Sequence, residues 1–259
     1  MREQPRVAHA GRRRWSTIER DLRRAGGPLI AGVDEVGRGC LAGPVVACAV
    51  VMPPDERAIG GVDDSKLLTA RARERLARLI RAHALGVGVG AASSREIDRI
   101  NILQASVLAM RRALGRLRVV PNHVLVDGRP LRTLGVQHTA IIDGDDRCFS
   151  IACASIIAKV IRDRLMHSLA MRHPAYAWDR NCGYATRSHI EGLITEGPSV
   201  HHRRSFLVKA ILEREQLPLA FEEQPISLEA GLADLLAHEH LLDIPATLGD
   251  LGPRELPPA

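Results

Sequence analysis

The chain is poor in aromatic side chains, at 3% of 259 residues, and its five cysteines include no C-x-x-C pair. Cys40, Cys48, Cys148, Cys153 and Cys182 form an odd set that suggests neither a disulfide framework nor a zinc site, so they read as reduced thiols in the cytoplasm. Long hydrophobic runs are also missing. The longest, such as Leu41 to Met52, fall well short of the ~20 apolar residues that span a bilayer, and Met1 to Arg24 lacks the apolar core of a secretion signal. There is no internal repeat. What remains is a composition ordinary for a globular protein, 46% hydrophobic, with enough length for one large core and short appendages.

Charge is unevenly distributed. Residues 216–259 hold eight acids against the single base Arg254, so of the overall net charge of +6 the first 215 residues carry +13. Such an excess suits a phosphate-backbone partner, although a basic solvated face is the common bland alternative. The sequence divides into a basic arm over 1–27, a catalytic-looking domain over 28–215 and an acidic, mostly mobile tail over 216–259, punctuated by Pro218, Pro225, Pro245 and Pro253.

Within the middle region, short apolar runs predict strands at Leu29–Asp34, Pro44–Met52, Gly86–Ala92, His123–Asp127 and Gln137–Ile142. Helical spacing predicts helices over Thr69–Ala84, Asn101–Leu117, Ser150–Arg172, Thr186–Glu196 and Ser205–Gln216. Strands early and helices later argue for an α/β layered fold with a mixed sheet and a helical C-terminal part.

The chemistry gathers at strand ends. Ile30 to Asp34 is an apolar run that closes on two adjacent acids, Asp34 and Glu35, followed by Gly37-Arg38-Gly39. A buried strand has no packing use for such acids, because an unpaired charge there costs several kcal/mol. Glycines let a phosphate or sugar approach backbone N–H groups, and an arginine can pair with an anion. His123 to Asp127 repeats the design, an apolar strand ending in an acid and then Gly128. A third cluster, Asp143, Asp145 and Asp146, precedes the long helix at Ser150. Alone, each acid reads as a turn or cap residue; together they suit hard divalent cations, which take several oxygen ligands. Chemistry alone leaves open which of Asp143, Asp145 and Asp146 would be a ligand. His201 and His202 look catalytic in isolation, but beside four acids a structural or substrate-edge role is the better expectation.

Gly32-Val33-Asp34-Glu35-Val36-Gly37-Arg38-Gly39-Cys40-Leu41-Ala42-Gly43-Pro44 resembles the opening signature of the type 2 ribonucleases H, specifically bacterial ribonuclease HII. Later segments keep that family's order: Asp64-Ser65-Lys66, Val126-Asp127-Gly128, Gly144-Asp145, the helix from Ser150 to Asp163, Gly183-Tyr184-Ala185-Thr186, and His202 to Phe206. The resemblance covers about residues 28–214, and several ordered motifs are far more specific than one. It implies a ribonuclease H-like fold, cleavage of RNA in hybrids with DNA, and incision at single ribonucleotides in duplex DNA. By position, Asp34, Glu35, Asp127 and Asp145 would be the catalytic, metal-binding acids for Mg²⁺ or Mn²⁺. Gly37, Arg38 and Gly39 would read the 2′-hydroxyl and scissile phosphate, and Tyr184 would lie against the sugar. Lys66, Lys159, Arg162 and Arg204 are candidate phosphate contacts or surface charges.

Three positions depart from the family pattern without removing a ligand: Leu67 for a second lysine, Asp143 for a lysine and Cys148 for a serine. Gln216 to Phe221 resembles the short Gln-Leu-x-Leu-x-Phe peptide that docks on the bacterial sliding clamp, and its bland alternative is that the leucines fold back on the last helix. A monomer is the default for so charged a surface. The competing readings are the sister type ribonuclease HIII, another two-metal nuclease on the same fold, and a non-catalytic duplex-binding module.

Overall fold

Twelve labelled elements follow one another in the computed structural model, which describes residues 16–54, 58–62 and 68–207. In chain order they are α1 (Thr17–Gly26), β1 (Ile30–Val36), β2 (Val45–Val51), α2 (Ala70–His83), β3 (Gly86–Ala92), α3 (Ser94–Gly115), β4 (His123–Asp127), β5 (Thr139–Ile141), α4 (Gly144–Arg147), α5 (Phe149–Arg172), α6 (Trp178–Asn181) and α7 (Arg187–Glu196). The strands form one sheet in the order β3-β2-β1-β4-β5, antiparallel on the β3-β2-β1 side and parallel from β1 through β4 to β5. This is the mixed sheet flanked by helices that the sequence predicts. Residues 204–207 are helical, and the rest of the helix predicted over Ser205–Gln216 lies outside the described residues.

Two-residue periodicity explains why β2 is apolar throughout. Its odd members Val45, Ala47, Ala49 and Val51 pack with Ile97, Ala105, Ala109 and Ala113 of α3. Its even members Cys48 and Val50 pack with Leu76 and Ile80 of α2 and with the Phe149–Val160 part of α5. Both faces are covered, so both sets are buried. On β1 the closest approach is at Gly32, where a Cβ would stand 2.1 Å from the Ser150 carbonyl carbon, so only glycine lets α5 lie against the central strand.

Two helices start earlier than their periodicity suggests. α3 begins at Ser94, not Asn101, because Ser93 and Glu96 form a reciprocal capping box; Asn101 marks a kink with φ 66°. α1 arises inside the basic stretch 1–27, where it follows a second capping box of Ser16 and Glu19. The Glu19 carboxylate is fully buried and accepts from Phe149 N (3.2 Å), Ser150 N (2.8 Å) and Ser150 Oγ (2.7 Å). The N-cap residue of α5, Cys148, makes no side-chain cap bond, so Glu19 satisfies the orphan donors at that helix start from 130 residues away.

Candidate active site

β1 continues two residues past Asp34, pairing Asp34 with Cys48, Glu35 with Ala47 and Val36 with Val46, so Asp34 and Glu35 are successive positions of one strand. Parallel pairing of β1 with β4 brings Asp127 to the same end of the sheet. Asp127 Oδ1 accepts from Gly144 N at 2.6 Å, which anchors α4 and with it Asp145. Of the three acids in that cluster, Asp143 and Asp146 are exposed, whereas Asp145 is 5% exposed and acts electrostatically on Asp34.

Burial pushes the Asp34 carboxyl well above the ordinary carboxylate range, and the neighbouring charges of Glu35, Asp127 and Asp145 push it the same way against a hydrogen bond from Ser155. Glu35 is raised as well, chiefly by burial, with the Arg38 guanidinium at 3.1 Å opposing the shift. Among the described residues, no three His, Cys, Asp or Glu side chains are arranged to grip an ion as they stand. The donor set nevertheless fits a hard cation: Glu35 Oε2 is buried without a hydrogen-bond partner, and mutual repulsion of these acids is relieved by positive charge.

Next to the acids, Gly37 takes φ +92° and turns the chain so that Arg38 and Gly39 are exposed. Two arginines hold this turn from beneath. Arg203 Nη2 donates to Gly37 O (2.6 Å) and Gly43 O (2.9 Å), its Nη1 to Arg38 O (2.7 Å) and its Nε to Gly43 O (3.0 Å). Arg162 donates to Pro44 O (3.1 Å), Cys182 O (2.8 Å) and Ala42 O (3.2 Å). Arg162 is therefore a buried tie and not the phosphate contact or surface charge expected from sequence. Sequence reasoning also missed Arg203. Its only signal was a charge within His202-Arg203-Arg204-Ser205-Phe206, indistinguishable there from its exposed neighbour Arg204.

Tyr184 is 44% exposed, and burial with the influence of Cys40, the residue after the glycine turn, raises its hydroxyl above the ordinary tyrosine range. Gly183 O accepts from Leu41 N at 2.8 Å, so the tyrosine loop and the glycine loop are one unit. Histidines support that unit. Ser199 N donates to His202 Nδ1 (2.9 Å), His202 Nε2 lies 3.0 Å from His189 Nε2, and His189 Nδ1 lies 2.8 Å from Tyr184 O. Trp178 Nε1 also donates to His189 Nε2, so this network assigns His202 a proton on Nε2 and His189 one on Nδ1, both rings neutral. Burial drives His202 down to about 3 and lowers His189. His201 is held down to about 4 by burial and by His173. The expected structural role of these histidines matches their placement. Lys159 is ion-paired with Asp163, and Lys66 and Gln216 to Phe221 lie outside the described residues.

Comparison with known proteins places the chain by family and fold. A family profile described as ribonuclease HII matches residues 31–209. Ribonuclease HII of Granulibacter bethesdensis is 50% identical over 208 residues, covering 78% of this chain and 95% of that protein. Ribonuclease H2 of Pyrococcus horikoshii OT3 superimposes with a TM-score of 0.60 at 26% identity, over 72% of this chain and 98% of the other. The RNase HII of Archaeoglobus fulgidus, solved in a complex with PCNA, gives a TM-score of 0.60 at 25% identity over 73% of this chain and 98% of that one. No described helix is long and apolar enough to cross a membrane. With a family match over more than half its length and a curated relative at half identity, the chain belongs to the ribonuclease HII family.

Proposed function

We propose that this ribonuclease cuts the RNA strand of RNA–DNA hybrids and incises 5′ of single ribonucleotides in duplex DNA, leaving a 5′-phosphate and a 3′-hydroxyl. The observation that carries the reading is the partnerless buried Oε2 of Glu35 beside Asp34, Asp127 and Asp145, next to an exposed glycine turn. Asp34, Glu35, Asp127 and Asp145 would hold Mg²⁺ or Mn²⁺. When bound, such ions supply an activated water for in-line attack and charge stabilisation for the leaving 3′ oxygen.

The chain's own residues do the rest. Gly37, Arg38 and Gly39 bring bare backbone to the ribose 2′-hydroxyl, the group that distinguishes RNA from DNA, and to the scissile phosphate. Tyr184 sets its ring against the adjoining sugar, and Lys66 takes a backbone phosphate. Arg38, which pairs with Glu35 at 3.1 Å, is exposed where it would pair with a substrate phosphate, leaving Glu35 to the cation it would help to hold. Gln216 to Phe221 docks on a sliding clamp, in keeping with the PCNA complex of the Archaeoglobus relative.

The test is cleavage of a labelled DNA duplex with one ribonucleotide in Mg²⁺ or Mn²⁺, beside an all-DNA duplex and Asp34→Asn. Metal-dependent cutting 5′ of the ribonucleotide by the parent alone supports the reading. Cutting of all-DNA moves the protein to another two-metal nuclease class, and binding without cutting makes it a duplex-binding module. Clamp pull-down with Gln216 to Phe221 deleted tests the tail; undiminished capture removes that part.

A further inference from the structure

We infer that Arg203 is a positioning residue that builds an anion-accepting face on the Gly37–Gly39 turn by drawing the Gly37 and Arg38 carbonyls inward, and that Arg162 is a second positioning residue that ties Ala42, Pro44 and Cys182 behind that turn. This deepens the proposed function and rests on its reading of that turn as the substrate contact.

Both guanidinium groups belong to fully buried side chains, and among the described residues neither pairs with a carboxylate. Burying a cation without a counter-charge is expensive, and backbone carbonyl dipoles alone compensate it only in part. Two such cations lie close enough that each is repelled by the other, which lowers Arg203 to about 10 together with the larger effect of burial. A fold that stabilised only this loop would do so at less cost with neutral groups. The uncompensated charge has a use if an anion comes to rest above it.

Backbone geometry supplies that place. In a trans peptide the C=O and N–H point in opposite directions. Arg203 binds the carbonyls of Gly37 and Arg38, so the N–H groups of the same two peptides, those of Arg38 and Gly39, face away from it. Neither N–H has a protein acceptor among the described residues, whereas Leu41, Ala42 and Gly43 donate to Gly183 O, Gly183 O and His201 O. Arg38 and Gly39 are exposed. Two successive free N–H groups over buried positive charge form a concavity for a phosphate oxygen or ribose hydroxyl oxygen. Arg162 extends the same support to Ala42, Pro44 and Cys182, and so keeps the Tyr184 loop in register with the turn.

Lysine keeps the charge but replaces a planar fork by a single ammonium, so it cannot hold Gly37 O, Arg38 O and Gly43 O together. On the single-ribonucleotide duplex with Mg²⁺, Arg203→Lys and Arg162→Lys should each lower kcat per folded molecule by about tenfold or more, with KM changed by less than about threefold, because the flanking duplex supplies most of the binding. A scaffold-only role would lower Tm and leave kcat per folded molecule within about twofold of the parent, and that result overturns the inference.

If both variants fail to fold, the wild-type protein answers. On adding the single-ribonucleotide duplex in EDTA, which withholds divalent ion and so keeps the substrate uncut with its 2′-hydroxyl in place, the amide resonances of Arg38 and Gly39 should shift and those of Leu41 and Gly43 should not; unmoved Arg38 and Gly39 signals overturn the inference. Gly39→Ala separates the two levels, since a Cβ there meets no protein atom within 4 Å. Full activity in Gly39→Ala removes the substrate-contact reading itself. Impaired Gly39→Ala with unimpaired Arg203→Lys and Arg162→Lys removes only the role given to the arginines.

Discussion

The carboxylate of Asp127 holds Gly144 N at 2.6 Å, so the third acid of the site also sets where the short helix carrying Asp145 begins. In the proposed site one side chain would thus have two jobs, a charge for the centre and an acceptor for the backbone. Substitution can separate them. Asp127→Asn keeps an oxygen acceptor and should retain a Tm close to the parent while losing cleavage by about 100-fold or more. Asp127→Ala should in addition lose about 1–3 kcal/mol of stability, because Gly144 N is left without its acceptor. Thermal melts and single-turnover cleavage of both variants decide this, and an active Asp127→Asn would show that the charge is dispensable.

Asp34 is the acid whose ionisation is most opposed by its surroundings, first by burial and then by Glu35 and Asp127. A carboxyl raised in the folded state adds stability below its unfolded pKa and loses it as pH rises through the folded value. At neutral pH the ionised carboxylate therefore weakens the metal-free protein. Asp34→Asn should melt higher than the parent at neutral pH without divalent ion, and the difference should vanish below the ordinary carboxylate range. Added Mg²⁺ should raise the Tm of the parent more than that of the variant. Melts from acid to neutral pH, with and without Mg²⁺, test both statements; a variant that melts lower throughout contradicts them.

His202 has the opposite sign. Burial first, then His189, lowers it from 6.5 to about 3, so the folded protein keeps the ring neutral where the unfolded chain takes a proton. Stability from this group is present above pH 6.5 and falls as pH drops toward about 3. His202→Gln should be less stable than the parent at pH 7, because the contacts to Ser199 and His189 are disturbed, yet should lose less further stability on acidification. Denaturant unfolding across that pH window measures the slope, and equal slopes would remove His202 as its source.

Glu19 joins α1 to the start of α5 through three acceptor contacts, and α5 lies against the strand that carries Asp34. Glu19→Ala should cost about 3 kcal/mol, since several buried donors lose one acceptor together. Glu19→Gln retains one oxygen and should cost less. Chemical denaturation of the two variants checks the order, and an Ala variant as stable as the parent would mean that α1 is not needed to cap α5.

Much of this was legible in the chain. The apolar runs of Pro44–Met52 and Gly86–Ala92, the helical spacing of Thr69–Ala84 and the family pattern around Asp34 lie within short windows, and the observed strands and helices fall there. The start of α3 was misplaced because a weakly apolar first turn hides behind the Asn101 kink, although Ser93 and Glu96 already stand at capping-box spacing. Among Asp143, Asp145 and Asp146 side-chain chemistry alone does not choose; the family spacing points to Asp145, and burial sets the same residue apart.

Periodicity and motif spacing are local, so the order of the residues carries them: which segments form strands, which form helices, and which acids follow an apolar strand. The partner of a buried charge is not local. Glu19 finds Ser150, and Arg203 finds Gly37, across 131 and 166 residues respectively. Nothing in the flanking residues marks these side chains as buried, since Arg203 and Arg204 are chemically identical in sequence and differ only in what the fold wraps around them. Whether a buried polar group is satisfied is a property of the assembled protein, and for Glu19 and Arg203 it is met only once the sheet, α5 and the glycine turn have come together.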